Sequence, residues 1–351
     1  MDFTLSDDRR MLSETLNRFL DAEYDFATRN TVAYAAPFHA PKAWATLAEL
    51  GIIGALTTVE KGGFGGTGAD IAVVFEALGR KICPEPFLPA VMAMRCLDDV
   101  AEIVDGTRHV ALATGEIDAF DDSSMIATTA RAKGDFHRIT GRKSVIYGGH
   151  SADQFLVSAR HGDLIGLFEV DAKDADVTAY GMVDGGGAAD IFLDDTPARL
   201  IKSDAVAVLE NAVHAGTLAL CAEAVGAMEA LLDMTLEYLK TRQQFGRPIG
   251  DFQALQHRFV DVTIEVEQAR SITIRAAADL DTDAARRSLA MAKHLVGRVG
   301  RMVAEEAIQM HGGIAMTWEH PAAHFAKRLV MIDHQLGDED LHLERFIELS
   351  T

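Results

Sequence analysis

Cysteine is scarce in this chain: three in 351 residues, at Cys83, Cys96 and Cys221. Their wide spacing matches neither a disulfide framework nor a metal-ligand set, and a reducing cytoplasm fits best. Positive charge is also short, with 33 Lys and Arg against 53 Asp and Glu and a formal net charge of −20. Such a surface repels phosphates, which argues against nucleic-acid binding. No apolar run approaches the roughly 18 residues of a membrane span. The opening Met1-Asp2-Phe3-Thr4 lacks the basic and apolar regions of a secretory signal. His257, His294, His311, His320, His324 and His334 form no two-histidine metal spacing with a nearby general base, so no metal is expected. Pro321 opens the turn between His320 and His324, and both read as surface histidines. The glycines between Lys61 and Gly68 are followed by no Lys-Ser/Thr, which excludes a phosphate loop. No internal repeat or low-complexity segment is present.

What is present is 48% hydrophobic content, enough for a substantial core in two or three subdomains. Residues 1–108 read as helices. Ser6-Asp7-Asp8 is a cap signal ahead of Met11, Leu12, Leu16, Phe19 and Leu20 at helical spacing. After a break from Tyr34 to Pro41 come a short amphipathic helix to Leu50, a Gly-rich loop from Glu60, a helix from Asp70 to Arg80, and an apolar stretch from Leu88 to Cys96. Residues 109–204 carry short strand candidates at Val110–Thr114, Met125–Ala130, Phe155–Ala159, Leu164–Val170 and Ala189–Asp194. Gly134-Asp135 and Gly141-Arg142-Lys143 suggest a hairpin and its return strand, while Asp171 to Asp176 and Asp194-Asp195 read as solvated turns. Residues 205–351 are helical, near 206–241, 251–280 and 284–311, with a shorter pair after Trp318. The class is α+β.

The stretch Arg242-Gln243-Gln244-Phe245-Gly246-Arg247-Pro248-Ile249-Gly250-Asp251-Phe252-Gln253 organises the rest. Gly246 stops the long helix and Pro248 forbids its immediate resumption. Asp251 is placed to cap the next helix, whose apolar face reads Phe252, Leu255, Phe259 and Val262. Arg242 and Gln244 then lie where a helix ends and solvent or a ligand begins. An ordinary helix stop with a cation at the C-terminal dipole explains the pattern as well as a binding site does.

Arg-x-x-Phe-Gly-x-x-Ile followed by a Gln-containing helix resembles the flavin motif of the acyl-CoA dehydrogenases. Gln309-Met310-His311-Gly312-Gly313 resembles that family's second motif, Gln-x-x-Gly-Gly. Trp44 to Gly51, Gly62-Gly63-Phe64-Gly65-Gly66 and Glu76-Ala77-Leu78-Gly79-Arg80 continue the resemblance in family order. It implies the acyl-CoA dehydrogenase fold: an N-terminal helical domain, a middle β-barrel-like domain and a C-terminal four-helix bundle. It also implies FAD, an acyl-CoA substrate and an electron-transfer-flavoprotein-like acceptor. An anionic CoA would need a local basic patch against the overall field. Lys327-Arg328 either lines a CoA phosphate channel or belongs to an exposed helix face.

In the family a carboxylate removes the α-proton of the thioester while the β-hydrogen leaves as hydride to the flavin, so the base must be close and desolvated. That base usually lies in Glu-Gly-Thr before the last helix. Here Asp333-His334-Gln335-Leu336-Gly337-Asp338-Glu339 puts Leu336 at the glutamate. The other family position, near the start of the first bundle helix, is Gly216, followed by Thr217. Neither holds a carboxylate. Asp338, Glu339 and Glu223 remain as substitutes, although Asp338-Glu339-Asp340 also reads as a helix N-terminus with acids at the dipole. The family's Thr-Glu-Pro-Gly-x-Gly-Ser appears as Thr114-Gly115-Glu116-Ile117-Asp118, and Lys-x-Trp-Ile-Thr as Lys143-Ser144-Val145-Ile146-Tyr147. Val145 removes the aromatic wall; Tyr147 donates a hydrogen bond, blocks the ring, or is an edge-of-core tyrosine.

The resemblance therefore survives on one side. The parts that one subunit lends to its neighbour's flavin match at Arg242, Gln244, Phe245, Gln309, Gly312 and Gly313, and the self-held half is degraded. This pattern resembles the small subunits of heteromeric acyl-CoA dehydrogenases, of the pimeloyl-CoA and steroid side-chain types. Met1-Asp2-Phe3 with Asp21 to Phe26 resembles the former in particular. It implies dicarboxylyl-CoA or bulky acyl-CoA substrates and a large catalytic partner subunit. A flavin-free structural subunit and a self-sufficient homo-oligomer with an unorthodox base are the alternatives.

Overall fold

Caps and glycines punctuate the helices. The computed structural model describes residues 5–118, 125–134 and 136–350. Met1 to Thr4, and Asp135 of the expected hairpin, lie outside the described residues. The chain begins with α1 (Asp7–Glu23), α2 (Phe26–Ala33), α3 (Pro41–Glu49), α4 (Gly68–Gly79), α5 (Phe87–Cys96) and α6 (Ala101–Val104). Ser6 caps α1, and Thr67 and Asp70 cap α4 reciprocally. The strands follow: β1 (Val110–Ala113), β2 (Thr129–Lys133), β3 (Phe136–Tyr147), β4 (Gln154–His161), β5 (Leu164–Asp171), β6 (Asp176–Gly181) and β7 (Gly187–Lys202). After them come α7 (Val206–Thr241), the short β8 (Gln243–Gln244) and β9 (Arg247–Pro248), α8 (Gln253–Asp279), α9 (Ala285–His311), α10 (Pro321–His334) and α11 (Glu339–Glu348). The fold is α+β, helical at both ends of the chain with a β region between, as expected.

The chain groups into two compact units. One comprises Arg29–Gly66 and Pro84–Gly216 and contains the β region. Its strands pair β4–β5, β5–β7, β7–β3, β3–β2 and β2–β4, which closes a ring, with β1 added to β4 and β6 to β7. Closure leaves few open edges. Inside it Ile139, Phe155, Val157, Phe168, Val170, Ile191 and Leu193 form the core. Three expectations are corrected. The strand read at Met125–Ala130 runs instead at Thr129–Lys133, the span read as a turn around Asp176 continues as strand β6, and Asp194-Asp195, read as a turn, lies within strand β7.

The other unit comprises Met1–Thr28, Thr67–Cys83 and Thr217–Thr351. Here helices meet at glycines. A Cβ added to Gly79 would sit 2.0 Å from the Glu223 carbonyl oxygen, and one on Gly226 would sit 2.0 Å from that of Glu76. Backbone thus touches backbone where α4 crosses α7. Around the crossing, Glu229 pairs with both Arg80 and Arg270, and Arg270 reaches Glu76 at 3.1 Å. The expectation that no apolar run reaches membrane-spanning length is also corrected. Helix α7 is long and apolar enough by length and composition, and 89% of that window is buried inside the structure. Burial against protein accounts for its composition.

Candidate functional site

Helix α7 ends at Thr241, and the residues after it turn back as a two-strand hairpin. Gln243 pairs with Pro248 and Gln244 with Arg247, leaving Phe245 (φ 54°) and Gly246 (φ 81°) as the two central residues. Positive φ at both is the geometry that a tight two-residue hairpin needs. Glycine adopts it freely, whereas phenylalanine is strained there. Phe245 is also 91% exposed, with an edge contact to Phe252 at 6.1 Å. Arg242 is exposed, and its side chain forms no ion pair among the described residues. The Gln244 amide donates to the Gln243 carbonyl at 2.8 Å. Asp251 does not cap α8, contrary to expectation. It lies in a 3-10 turn, and Phe252 occupies the cap position without a side-chain bond.

At the far end of α9, Gln309 is exposed while Met310 and His311 are buried. Gly312 ends the helix with φ 71° and ψ −154°. A Cβ at either Gly312 or Gly313 would meet nothing within 4 Å. The turn is bare of side chains and open on its outer side. A free guanidinium, an exposed aromatic ring and an open glycine turn therefore stand at segment ends of the same unit. This donor set suits a phosphate-bearing ligand. Arginine hydrogen-bonds phosphate oxygens with a permanent charge, and glycines admit close backbone approach. FAD meets that description, so the residues present fit the group that the motifs imply.

The acids weighed as a base are all engaged. Glu223, buried on α7, accepts a two-pronged bond from Arg328, with Nε to Oε1 and Nη2 to Oε2 both at 2.6 Å. Arg328 also donates to Gln335 at 3.1 Å. Asp338 caps α11, accepting from the Leu341 amide at 2.9 Å, and Glu339 pairs with Arg301. Asp333 accepts from the Glu339 amide at 3.1 Å, and burial pushes its carboxyl above the usual range. Leu336 itself takes φ 58° in a turn completed by Gly337 at φ 93°. Buried Lys293 donates to the carbonyls of Asp333 at 2.7 Å and Gly337 at 2.5 Å, holding this turn from beneath. The CoA-channel reading of Lys327-Arg328 does not fit, because Arg328 is committed to Glu223 and Lys327 lies over the Trp318 ring at 4.7 Å. His324 is fully buried rather than at the surface, 2.8 Å from the Trp318 carbonyl.

In the β unit, Lys143 is fully buried and donates to Glu116 at 2.7 Å, Ser158 at 3.0 Å and the Thr114 carbonyl at 3.2 Å. Burial pulls the ammonium down to about 8 despite its carboxylate partner. Burial also pushes Glu116 upward, but Lys143 and the bonds around Thr128 and Ala127 outweigh it and hold the carboxyl below its usual range. Val145, half exposed at φ 52°, is pinned by its amide to Asp190 at 3.0 Å. Asp190 also receives Arg142 at 2.7 Å and Tyr180 at 2.9 Å. Sequence reasoning missed this Asp190 node, which sits across the β3–β7 ladder from Arg142 and Val145; one-strand reading carries no signal for it.

Two family models match, "Acyl-CoA dehydrogenase, N-terminal domain" over residues 6–101 and "Acyl-CoA dehydrogenase, C-terminal domain" over residues 206–347. Acyl-CoA dehydrogenase IpdE2 of Mycobacterium tuberculosis is 31% identical over 331 residues, covering 93% of this chain and 92% of that protein. A chain of the ChsE4-ChsE5 complex from Mycobacterium tuberculosis is 26% identical with TM-score 0.91, covering 100% of this chain and 99% of that one. A chain of a variant of the Tcur3481-Tcur3483 steroid ACAD is 27% identical with TM-score 0.91, covering 99% and 98%. With both terminal regions matched and a relative 31% identical over nearly the whole chain, the chain belongs to the acyl-CoA dehydrogenase family, the FAD-dependent oxidoreductases that act on acyl-CoA thioesters.

Proposed function

We propose that this chain works as one subunit of a heteromeric acyl-CoA dehydrogenase and completes the flavin site of a catalytic partner. The observation that carries the reading is an asymmetry. Glu223, Asp333, Asp338 and Glu339 are each tied up in a cap, an ion pair or a backbone bond, whereas among the described residues Arg242, Phe245, Gly312 and Gly313 stand uncommitted. A base must be free to accept a proton within hydrogen-bond reach of the substrate. Leu336 and Gly216 cannot do so.

FAD, when bound, supplies the acceptor for the β-hydrogen of the acyl chain. This chain's residues would hold it from the phosphate side. Arg242 offers a fixed charge, Gln244 and Gln309 offer amide donors, and the Gly312–Gly313 turn offers close backbone. Phe245 would cover the contact and exclude water. The partner would supply the base. Relatives described as the ChsE4-ChsE5 complex and as a steroid ACAD of two named components support a heteromer and a bulky acyl-CoA. A dicarboxylyl-CoA is the other substrate reading, and a cytoplasmic setting and an electron-transfer-flavoprotein-like acceptor complete the proposal. The alternatives are a flavin-free structural subunit and a self-sufficient homo-oligomer.

The test is to purify this chain alone, record its flavin absorbance, and challenge it with acyl-CoAs and an artificial electron acceptor. The expected result is no flavin, or flavin that substrate does not bleach. Bound FAD bleached by substrate would overturn the reading in favour of the homo-oligomer. In the assembled complex, Arg242→Ala should weaken FAD binding by about tenfold or more, the scale of one lost charge-assisted hydrogen bond. Unchanged flavin content would favour the flavin-free role.

A further inference from the structure

The proposed flavin-contact segments carry little packing of their own: in the hairpin Arg247 lies over the Phe252 ring at 4.2 Å and the Ile249 amide donates to the Arg242 carbonyl at 2.8 Å, and after the glycine turn Ala315 is buried. The β8–β9 hairpin has two residue pairs and an exposed tip, and so small a ladder is marginal in water. Gly312 and Gly313 have open space around them. The helix ends that carry them add the remaining constraint. Tyr238 lies one turn before Arg242, whose amide donates to the Tyr238 carbonyl at 2.8 Å. His311 immediately precedes Gly312, whose amide donates to the Ile308 carbonyl. The two rings stack across the gap between α7 and α9, with centroids 4.6 Å apart and planes 28° apart. His311 also makes an edge contact with His320, at 4.9 Å and 66°. The ring is 4% exposed, and its Nδ1 lies 2.9 Å from the Ala307 carbonyl, so Nδ1 carries the proton of a neutral imidazole.

We propose that His311 is a positioning residue: packed against Tyr238 and His320, it joins the Arg242–Phe245 hairpin and the Gly312–Gly313 turn into one grip on the cofactor. The inference rests on the reading of those segments as flavin contacts. Burial, which holds His311 below its usual range, keeps the ring in the neutral form that stacks and donates to Ala307. His320 is held low by burial and by His311 itself. A flat ring of similar size preserves the clamp, and a methyl group does not.

The test is deuterium exchange on the full chain, read at peptides covering 241–248 and 312–317. His311→Ala should speed exchange in the Arg242–Pro248 hairpin about three- to tenfold, the factor expected for one aromatic pair, although that hairpin follows a different helix. His311→Phe should restore protection, and Tyr238→Leu should speed exchange at Gly312–Gly313. The combined His311→Ala, Tyr238→Leu chain should be no faster than the quicker single variant. FAD release from the flavin-bearing assembly should follow the same order. Unchanged hairpin exchange in both His311→Ala and Tyr238→Leu, or equal effects of His311→Phe and His311→Ala, would overturn the proposal. Arg242→Ala separates the two layers. If it weakens FAD while His311→Ala changes nothing, only the positioning role fails; if it leaves FAD affinity intact, the flavin-contact reading fails.

Discussion

Adding one methyl group at Gly226 tests the helix crossing directly. Its Cβ would lie 2.0 Å from the Glu76 carbonyl oxygen, about 1.4 Å short of the 3.4 Å at which ordinary contact begins. The obstacle is backbone within α4, so it cannot swing aside as a side-chain tip would. Gly79 presents the same problem from the other helix, 2.0 Å from the Glu223 carbonyl. Relief requires the two helices to part, which also pulls on the Glu229 pairs with Arg80 and Arg270. Overpacking of this kind costs about 1–3 kcal/mol, and partial loss of the ion-pair cluster adds to it. Gly226→Ala should therefore lower the thermal midpoint by several degrees, measured by calorimetry or circular dichroism. Gly79→Ala should do the same, and the double variant should fall short of the sum, because parting the helices once relieves both clashes. Gly313→Ala is the counterpart: its methyl meets nothing within 4 Å, so the midpoint should hold while FAD affinity drops. An unchanged midpoint for Gly226→Ala would refute the reasoning.

Two further outcomes follow from buried charge. Lys143→Met removes the cation from beneath Glu116 and leaves that carboxylate uncompensated, so it should cost about 3–5 kcal/mol in urea unfolding, and adding Glu116→Gln should recover most of it; a mild single variant, or no recovery, would contradict the assignment. His150 and His342 are both pulled down to about 4, chiefly by burial. The unfolded chain takes up protons near pH 6.5 while the folded one resists until about 4, so stability is full above 6.5 and declines as pH falls through that window. Each histidine contributes roughly 2 kcal/mol after allowance for partial solvent access. Urea midpoints measured from pH 7.5 to 5 should fall, and His342→Asn should flatten part of the slope; a level profile would count against both.

The long helices were readable because the sequence punctuates them. Gly312 closes α9, Pro321 opens α10 and Asp338 opens α11, each beside a clear apolar period. The β region wrote itself less clearly. Strand β2 buries only Ala130 of its five residues, so no alternation marked it and the neighbouring Met125–Ala130 run looked better. Strand β6 has no fully buried residue, and its aspartate at the start read as a turn. At the site, the reading that Leu336 stands where the family carries its base rests on the motif alone. The fates of Glu223, Asp338 and Glu339 were not legible, apart from the cap reading at Asp338. The partners of Glu223 and Glu339 stand on other helices, Arg328 lying 105 residues from Glu223, and helix periodicity carries no register between helices. The hairpin at Phe245-Gly246 was read only as a helix stop, since the turn type depends on a strained φ that phenylalanine ordinarily avoids.

The ring of strands has one latch. Every other junction runs along several residues, but β2 meets β4 through the single pair Thr129 and Arg160, helped by the Arg160 amide to Thr128 at 2.8 Å and its guanidinium to Ile126 at 2.7 Å. Releasing that latch leaves the order β2-β3-β7-β5-β4 intact, so the hoop becomes a flat ribbon without losing another ladder. The β unit can thus breathe at little cost compared with unfolding. Breathing bares an edge on each side of the seam: β2 carries Arg131 and Lys133, both paired with Asp195 of β7, and β4 carries Arg160. Short strands and charged side chains blunt an exposed edge, so the seam that opens most easily is built from residues that discourage pairing with a second copy.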